Sequence, residues 1–387
     1  MSGETDRPLS GLRVIERAAG VAAQYCGRLL AVLGAEVTRI EPPGGCASRR
    51  EAPLIRTADG RDSSVLFEYL NVEKHAVTIT ADEPGRARLA RMLAQADLVV
   101  DDTPVSERLA AGLAPDVLLE RDPRLVFVSV LPFGAHGPLA DTPAAELTLL
   151  HSAGEGFLMP NGLTIERFPD RPPLKIHGHF AEMVGGASAA GAAVVAAMAQ
   201  LDGIGQLVDV SVQDANLAIG CFAVQRLGDG VIEQRQERSF KYGGVLECQD
   251  GFVQLLVLEQ HQWLALVGLM GNPDWAQAFV DPLERGRRGT EINRHLRAWT
   301  LGWKVADLVR SGQAAKVPFA PYNDPLAVLA SPHNTERGVF DRARFESLER
   351  AAMLTAPFRF PQQPLSAARP APAPGERDAL LAVEEQS

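Results

Sequence analysis

The sequence predicts an α/β protein with a parallel sheet in the first half of the chain and a smaller α+β lobe after it. A strand, helix, strand pattern opens the chain, and short β-rich runs recur up to Leu131. From about Phe222 the character changes, because glycine turns there bracket short strands and amphipathic helices follow. At 387 residues the chain exceeds the size at which one hydrophobic core usually stops growing, which also favours two lobes.

The first three elements are the clearest part of this prediction. Strands are predicted at Arg13–Glu16 and Val37–Ile40. Between them, and before Gly34 ends the helix, apolar residues recur at the i, i+3, i+4, i+7 spacing of one helical face: Cys26, Leu29, Leu30 and Leu33. Because parallel strands need a crossover connection, this order predicts a βαβ unit.

The later elements extend the sheet and end in a tail. Pro84 marks a helix start, and a helix is also predicted from Gln213 onward. The Ala- and Gly-rich run Met183–Leu201 suits a helix packed closely in a protein interior better than a membrane span. Arg359–Pro374 is rich in Pro, Ala and Gln, which predicts an extended strap over the surface. Four further runs predict strands: Ala76–Thr80, Leu98–Val100, Leu125–Leu131 and Leu207–Val212.

Composition excludes several classes of function. The net charge is −10 and the 38 Lys and Arg residues are scattered, which argues against nucleic-acid binding. The N-terminus, Met1–Arg7, lacks the apolar core of a signal peptide, and no uninterrupted apolar stretch predicts a membrane span. We expect a cytoplasmic protein without a metal or disulfide scaffold, because its four cysteines lie far apart: Cys26, Cys46, Cys221 and Cys248.

Ordered blocks spread over nearly the whole chain carry a family resemblance. They are Pro8–Glu16, Leu29–Val37, Ile40–Gly44, Asn71 with Lys74, Pro132–Pro138, Gly203–Ser211, Val317–Pro321, Ser331–His333, Arg337–Phe340 and Pro372–Glu376. Together these blocks resemble the family III coenzyme A transferases, a family that also contains carnitine and formyl-CoA transferases and α-methylacyl-CoA racemases.

The resemblance implies a fold, an assembly and a co-substrate. It implies a Rossmann-like large domain built from residues 1–221 and a returning C-terminal segment 330–387, with residues 222–329 as the small α+β domain. It also implies an intertwined homodimer, with a heteromer with a paralogue as the alternative. Coenzyme A would act as co-substrate between an acyl-CoA donor and a small carboxylic acid.

The residue expected to carry the chemistry is Glu182. Coenzyme A transfer needs a carboxylate that attacks the donor thioester through an acyl anhydride and then becomes an enzyme thioester. The family uses an aspartate before an Ala/Gly-rich helix, and in the similar segment Pro172–Gly186 the aligned acid is Glu182. Its extra methylene moves the carboxylate by about 1.5 Å, and such misplacement can cost roughly a hundredfold in rate. The alternative is helix capping. Gly178, Gly185 and Gly186 favour catalysis if they give a thioester close backbone access.

Several residues resemble the coenzyme A site of the family. Arg39, Asn71 and Lys74 occupy positions similar to its nucleotide-binding residues, where a cation suits phosphates. For Arg39 the alternative is a surface salt bridge. The segment Asp101–Ser106 departs from the family pattern by placing two carboxylates where an amide and an aromatic are usual. Arg108 is expected to compensate that charge.

Two glycine loops are further candidates for substrate contact. Gly134, His136 and Gly137 follow a predicted strand at the end where open α/β sheets bind ligands, although a single loop histidine is more often only solvated. Later in the chain, a second loop resembles the family segment that folds over the acyl group, with a plain hairpin turn as the alternative. Its residues are Tyr242, Gly243 and Gly244.

Three functions remain open from the sequence. The first is a CoA-transferase that uses Glu182. The second is a catalytically degenerate subunit, or a CoA-binding scaffold, that partners an active paralogue. The third is an acyl-CoA racemase, which needs an acid and base pair. At the comparable place the chain has Ala144-Ala145-Glu146 without a histidine, so this function is the weakest, although His151 lies nearby.

Overall fold

The computed structural model describes residues 7–56, 62–159, 168–170, 172, 174–220, 224, 227–230, 242–341, 353–354, 356–363, 365, 367 and 369–379. Cys221 and the expected domain boundary at 221/222 lie outside these residues. The chain forms two compact units: Met1–Ala153, Ile176–Gly220 and Pro332–Ser387 in the first, and Gly154–Lys175 and Cys221–Ser331 in the second. The first unit thus contains both chain ends, whereas the predicted domain boundaries stay a prediction.

The first unit is built on a six-stranded parallel sheet with the order β5-β2-β1-β6-β7-β8. The sheet strands are β1 (Arg13–Arg17), β2 (Glu36–Glu41), β5 (His75–Thr78), β6 (Leu98–Asp101), β7 (Val126–Leu131) and β8 (Gln206–Ser211), and a small hairpin is formed by β3 (Leu54–Arg56) and β4 (Asp62–Ser64). The helices are α1 (Val21–Val32), α2 (Val65–Leu70), α3 (Glu83–Ala94), α4 (Val105–Ala111), α5 (Pro115–Arg121), α6 (Glu146–Ser152), α7 (Phe180–Gln200) and α8 (Val212–Gly220). After the second unit follow α14 (Pro332–Glu336), β12 (Phe340–Asp341) and β13 (Met353–Leu354).

This sheet confirms the predicted α/β fold and each predicted strand to within one or two residues. The central strands β6 and β7 are buried along their whole length, as expected for parallel strands covered on both faces. The strand order reverses beside β1, where β2 lies on one side and β6 on the other. Such a switch point leaves a crevice at the carboxyl ends of the strands.

Helix α7 is the Ala- and Gly-rich helix predicted from the sequence. It packs against α1, α6, α8 and strands β7 and β8. Gly186 allows the close approach to α1, because an added Cβ there would lie 2.4 Å from the carbonyl oxygen of Ala22. Among the described residues, α7 is also the helix that is long and apolar enough to cross a membrane by length and composition. That test is also met by core helices of soluble proteins, and the expected absence of membrane association stays a prediction.

The C-terminal segment returns to the sheet and covers its β5 edge. The backbone N–H of Arg377 donates to the carbonyl of Ala76, and the N–H of Thr78 donates to the Asp378 carboxylate. Arg369 exchanges hydrogen bonds with Glu73 through both backbone and side chain. Within the predicted strap Arg359–Pro374, Arg369 is thus placed beside the β5 edge of the sheet. The contacts of the C-terminal segment cover an edge strand that would otherwise face solvent.

The second unit has its own small sheet and core. Its antiparallel sheet has the order β11-β10-β9. The elements are β9 (Gly244–Cys248), β10 (Gly251–Leu255), α9 (Gln260–Leu269), α10 (Pro282–Arg287), α11 (Gly289–Thr300), α12 (Val305–Ala314), β11 (Phe319–Pro321) and α13 (Pro325–Ala330). Trp263 is 1% exposed and lies in a core cluster with Phe279 and Leu296, as expected for an aromatic anchor.

Candidate active site

A cavity of about 280 Å³ opens in the first unit beside helix α7. It lies at the carboxyl ends of β1, β6 and β7, the edge of an open α/β sheet where ligands bind. Its lining consists of Ala19, Gly20, Ala22, Ala23, Asp102, Pro104, Val130, Leu131, Pro132, Ala140, Asp141, Thr142, Pro143, Ala144, Leu149, Glu182 and Val212. The residue predicted to be catalytic is therefore part of the wall.

Glu182 lies in the first turn of α7 with its side chain 18% exposed. Its Oε2 atom lies 2.7 Å from Nδ1 of His179, three residues earlier. Burial raises the pKa of Glu182, the contact with His179 opposes that rise, and the nearby carboxylates of Glu146 and Glu51 add to it. The cavity thus holds a carboxylate whose proton affinity is set by burial and by a histidine partner.

Glu146 provides the cap at the start of α7. Its carboxylate is buried and accepts hydrogen bonds from the backbone N–H groups of Ala181 at 2.9 Å and Glu182 at 3.1 Å. Asn216 donates to the carbonyl oxygen of Ala181 and holds the same turn from α8. Because another acid takes the free amide groups of this turn, the carboxylate of Glu182 is not needed as a cap.

Two of the three glycines near Glu182, Gly185 and Gly186, pack against neighbouring elements. An added Cβ at Gly185 would lie 2.7 Å from a methyl group of Val212, and Gly186 faces α1 as described above. Gly178 has a φ of 84° and begins the turn into the helix. Gly185 and Gly186 therefore fix the position of α7 against its neighbours, whereas an added Cβ at Gly178 would meet open space. None of the three contributes to the described lining of the cavity, and close backbone access to a thioester stays a prediction.

Asp102 caps the other helix that opens onto the cavity. Its carboxylate accepts hydrogen bonds from the backbone N–H groups of Ala19 at 3.0 Å and Gly20 at 2.6 Å, at the start of α1. Burial raises the pKa of Asp102 to about 7, although both amides oppose the rise. The first of the two adjacent acids, Asp101, is buried below it and accepts from the Thr103 hydroxyl.

Arg39, Asn71 and Lys74 lie in the interior, which corrects the expected position of these residues at a nucleotide-binding surface. Arg39 pairs with Glu16 at 2.8 Å and with Glu41 at 2.7 Å. Lys74 donates to Glu16 at 2.6 Å and to Asn71 at 3.0 Å, and Asn71 also accepts from Arg39.

Arg39, Asn71 and Lys74 are each at most 1% exposed. Burial lowers the pKa of Lys74 to about 8, with the charge of Glu16 opposing it. Arg39 therefore forms ion pairs, as the alternative prediction has it, but inside the protein and not at its surface. In this arrangement the cationic groups are directed to internal acceptors and not to a bound phosphate.

Arg108 is also buried. It lies 3.3 Å from Asp101, and it donates to the carbonyl of Thr103 and to the hydroxyl of Ser129. Its charge balances Asp101, as predicted, and is not directed to the cavity.

The loop after β7 remains at the surface. His136 has its side chain 79% exposed, and its Nδ1 lies 2.9 Å from Asp209 Oδ2. Gly134 and Gly137 have φ values of 79° and 96°, the left-handed region that favours glycine. None of the three contributes to the described lining of the cavity.

The loop of the second unit is partly a core element. Tyr242 is buried, donates its hydroxyl to the carbonyl of Val257 and packs edge-on against Trp263. Gly243 donates its N–H to the side chain of Asn293 and, like Gly244, has a positive φ. The turn leads into β9, so a structural role accounts for these contacts.

Sequence reasoning missed two residues of the site. The role of Glu146 as a cap has no signal in the sequence, because its contact with α7 spans more than thirty residues. His179 had a readable signal, since residues three apart on a helix are neighbours. Among the described residues, no group of three or more His, Cys, Asp or Glu is placed to hold a metal ion.

Comparison with known proteins gives one consistent result. A profile described as CoA-transferase family III matches residues 9–378. Succinate--glutarate CoA-transferase of Agrobacterium fabrum is 27% identical over 394 residues, 97% of this chain and 95% of that protein. The succinyl-CoA:(R)-benzylsuccinate CoA-transferase subunit BbsE of Thauera aromatica is 29% identical over 392 residues, 97% and 93%.

A solved structure agrees with this family. The crystal structure of a CAIB/BAIF family protein from Brucella suis superposes with a TM-score of 0.84 at 26% identity, covering 98% of this chain and 100% of that one. CoA-transferases take coenzyme A thioesters as co-substrates. The chain belongs to CoA-transferase family III and is an enzyme of this class.

Proposed function

We propose that the protein moves coenzyme A from an acyl-CoA donor to a carboxylic acid, with Glu182 as the nucleophile. The observation that carries this proposal is the division of labour at the start of α7, where Glu146 accepts the free amide groups and Glu182 lines the cavity. A carboxylate that lines a cavity is the group that such a transfer needs. Its raised pKa also makes it more basic, and hence a stronger nucleophile once ionised.

The transfer proceeds through an acyl anhydride and an enzyme thioester. The ionised carboxylate of Glu182 attacks the thioester carbonyl of the donor, giving a mixed anhydride and free thiolate. The thiolate then attacks the Glu182 carbonyl of that anhydride, giving an enzyme thioester and releasing the donor acid. The acceptor carboxylate repeats both steps in reverse, so that its own acyl-CoA forms and the carboxylate of Glu182 is restored.

Coenzyme A contacts remain part of this proposal. Of the residues that the resemblance assigned to the co-substrate, His136 and Gly137 are exposed in the loop after β7, and Gly134 of the same loop is buried. We assign this loop as a contact for the thioester arm. For the turn at Gly243 and Gly244, contact with the acyl group stays a prediction. The buried network around Arg39 joins strand β2 to Glu16 of strand β1, and helix α1 follows that strand.

We also propose a cytoplasmic homodimer, with the apolar side of α7 at its interface. Val195, Met198 and Leu201 are 68%, 65% and 86% exposed, and Ile204 beyond the helix is 58% exposed. So large an apolar stripe on one helix is typical of a surface that another chain covers. Two similar proteins are named as subunits, so a heteromer is the alternative.

Light scattering of the purified chain tests this assembly. We expect twice the chain mass, and a Val195→Glu, Met198→Glu double variant is expected to give monomers. A monomeric wild type that assembles only with a paralogue would favour the heteromer, and a monomer under both conditions would contradict an assembly.

An exchange assay tests the activity itself. Isotope-labelled acid is incubated with its unlabelled acyl-CoA, and label entering the thioester is measured. We expect exchange by the wild type, loss of at least about a thousandfold with Glu182→Gln because the nucleophile is removed, and wild-type exchange with Glu83→Gln. Glu83 is a matched control, because its carboxylate is 82% exposed on α3. Exchange that survives in Glu182→Gln would remove Glu182 from the mechanism, and no exchange with any donor would favour a non-catalytic subunit.

A further inference from the structure

The cavity beside Glu182 combines small apolar walls with fixed carboxylates. The apolar part of the lining includes alanines at the start of α1 and the side chains of Val130, Leu131 and Val212. At about 280 Å³ the cavity is at the lower end of small-molecule pockets, so the acid that fits it has few carbon atoms. Apolar walls of this kind favour an apolar tail.

Three carboxylates line this cavity. Glu182 lies on the α7 side, Asp102 on the α1 side, and Asp141 at the mouth. Within the described lining, these acids are the ionisable side chains and none of the lining residues is a cation. The cavity therefore offers an entering anion no opposite charge.

Backbone amides hold two of the acids in place. Asp102 accepts from the N–H groups of Ala19 and Gly20, as described above. Asp141 accepts from the N–H of Ser106 at 3.2 Å. These bonds hold the two acids in place in the cavity wall.

Two basic side chains near these acids have other partners. Arg108 lies against Asp101 and donates to Thr103 and Ser129, behind the wall. His179 contacts Glu182. The reacting carboxylate of an incoming acid is tolerated in the proposed mechanism, because Glu182 is then a neutral thioester and one negative charge has left the cavity. A second carboxylate in the tail would add a charge that nothing in the described lining compensates.

We propose that the acid accepted at this site is a short monocarboxylic acid with a neutral, apolar tail, and that a dicarboxylic acid is discriminated against. This inference rests on the function proposed above and names its substrate class. It differs from the printed names of the similar proteins from Agrobacterium fabrum and Thauera aromatica, which act on dicarboxylates.

Three acids with the same five-carbon chain test the inference: pentanoate with a neutral tail, glutarate with an anionic tail and 5-aminopentanoate with a cationic tail. Each is offered as acceptor with butanoyl-CoA and with succinyl-CoA as donor, and kcat/KM is measured for each pair. We expect kcat/KM for pentanoate to exceed that for glutarate by about tenfold or more, since one unpaired like charge near a carboxylate is worth at least that factor. Butanoyl-CoA is expected to be the better donor.

Ligand-observed NMR of the same acids with the Glu182→Gln variant, in which a neutral side chain stands in for the enzyme thioester, separates this inference from the proposed function. Selective binding of pentanoate without any CoA transfer by the wild type would contradict the transferase mechanism and support the substrate class. Preference for glutarate or for 5-aminopentanoate, in transfer or in binding, would overturn the substrate class while leaving the mechanism intact. Binding of none of the acids would also overturn it.

A matched pair of variants tests whether the cavity lining causes the preference for pentanoate over glutarate. Asp141→Asn removes one charge from the mouth and is expected to lower the pentanoate-to-glutarate ratio by about threefold or more. Asp202→Asn makes the same change just beyond the far end of α7 and is expected to leave the ratio unchanged. Equal ratios in both variants would contradict a role for the acidic lining.

Discussion

Nδ1 of His179 lies 2.7 Å from Oε2 of Glu182 at the start of helix α7. The two residues are three positions apart, so the helix itself holds the pair together. The contact opposes the effect of burial on the carboxylate, because hydrogen bonding favours its ionised form. Glu182 is thereby kept available as an anion in a cavity that disfavours one.

The first prediction concerns the pH dependence of this pair. Glu182 is active when ionised, so activity is lost as pH falls through its pKa. His179→Ala removes the contact that lowers this pKa, and we expect the acid limb of kcat/KM to move to higher pH. At pH values on the acid limb, kcat/KM should drop by roughly tenfold, which corresponds to the loss of one hydrogen bond to a charged group.

His177→Ala is the control for that profile, because His177 is exposed two residues away. We expect its acid limb to match the wild type, and His179→Gln to restore part of the shift through its amide donor. A limb that moves to lower pH in His179→Ala, or moves equally in both alanine variants, would contradict the pairing.

The second prediction concerns Glu146. Glu146→Gln keeps one oxygen as a cap acceptor but removes a negative charge that raises the pKa of Glu182. We expect the acid limb of kcat/KM to move to lower pH, the direction opposite to His179→Ala. Glu146→Ala removes the cap and should lower the free energy of unfolding by about 1 kcal/mol in urea titrations. Unchanged profiles in Glu146→Gln would show that this charge does not act on Glu182.

The third prediction separates structure from binding at Arg39. Arg39→Met removes one of the two cations paired with each of the buried acids Glu16 and Glu41, and we expect a loss of about 3–5 kcal/mol in the free energy of unfolding. Arg13→Met removes a solvent-exposed pair with Asp97 and should cost no more than about 1 kcal/mol. Urea unfolding of both variants checks the difference. Equal losses, or an Arg39 variant with wild-type stability and a raised KM for acyl-CoA, would support the nucleotide-binding role instead.

The fourth prediction concerns the helix that holds Glu182. Gly186→Ala places a methyl group against the Ala22 carbonyl and should cost about 1–3 kcal/mol, together with activity, because α7 moves away from α1. Gly268→Ala is the matched control in helix α9, where an added Cβ has open space. It should stabilise the protein by about 0.5–1 kcal/mol. Thermal unfolding and the exchange assay measure both, and a neutral Gly186→Ala would contradict the close helix contact.

The order of strands and helices could be predicted from the sequence because each element has a local signal. The apolar face of α1 and the short β-rich runs are periodic, and periodicity survives without tertiary information. The catalytic candidate Glu182 has a different source, because it is predicted from the resemblance of the segment Pro172–Gly186 to the family's segment before an Ala/Gly-rich helix.

The environment of Arg39 could not be read in the same way. Its partner Glu16 lies opposite it on the neighbouring strand, in the β1–β2 register, and Glu41 lies two residues on along the same face. Lys74 reaches Glu16 across 58 residues. A cation that matches a binding motif in sequence is thus buried by pairings that only strand register reveals.

Glu146 shows the same limit at the active site. Whether an acid caps a helix depends on which helix start lies beside it, and Glu146 caps α7 across a separation of 35 residues. Asp102 likewise caps α1 from the end of β6. Both acids were visible in the sequence, but their partners were set by the fold.

The most direct test of the account is the covalent state of the enzyme after exposure to an acyl-CoA donor without acceptor acid. The wild type is incubated with donor, quenched with hydroxylamine and digested, and the modified peptide is identified by mass spectrometry. The account predicts a hydroxamate on Glu182 in the wild type and none in Glu182→Gln. A wild type without any adduct after a broad panel of donors, or an adduct on Asp102, Asp141 or Glu146 instead, would contradict it.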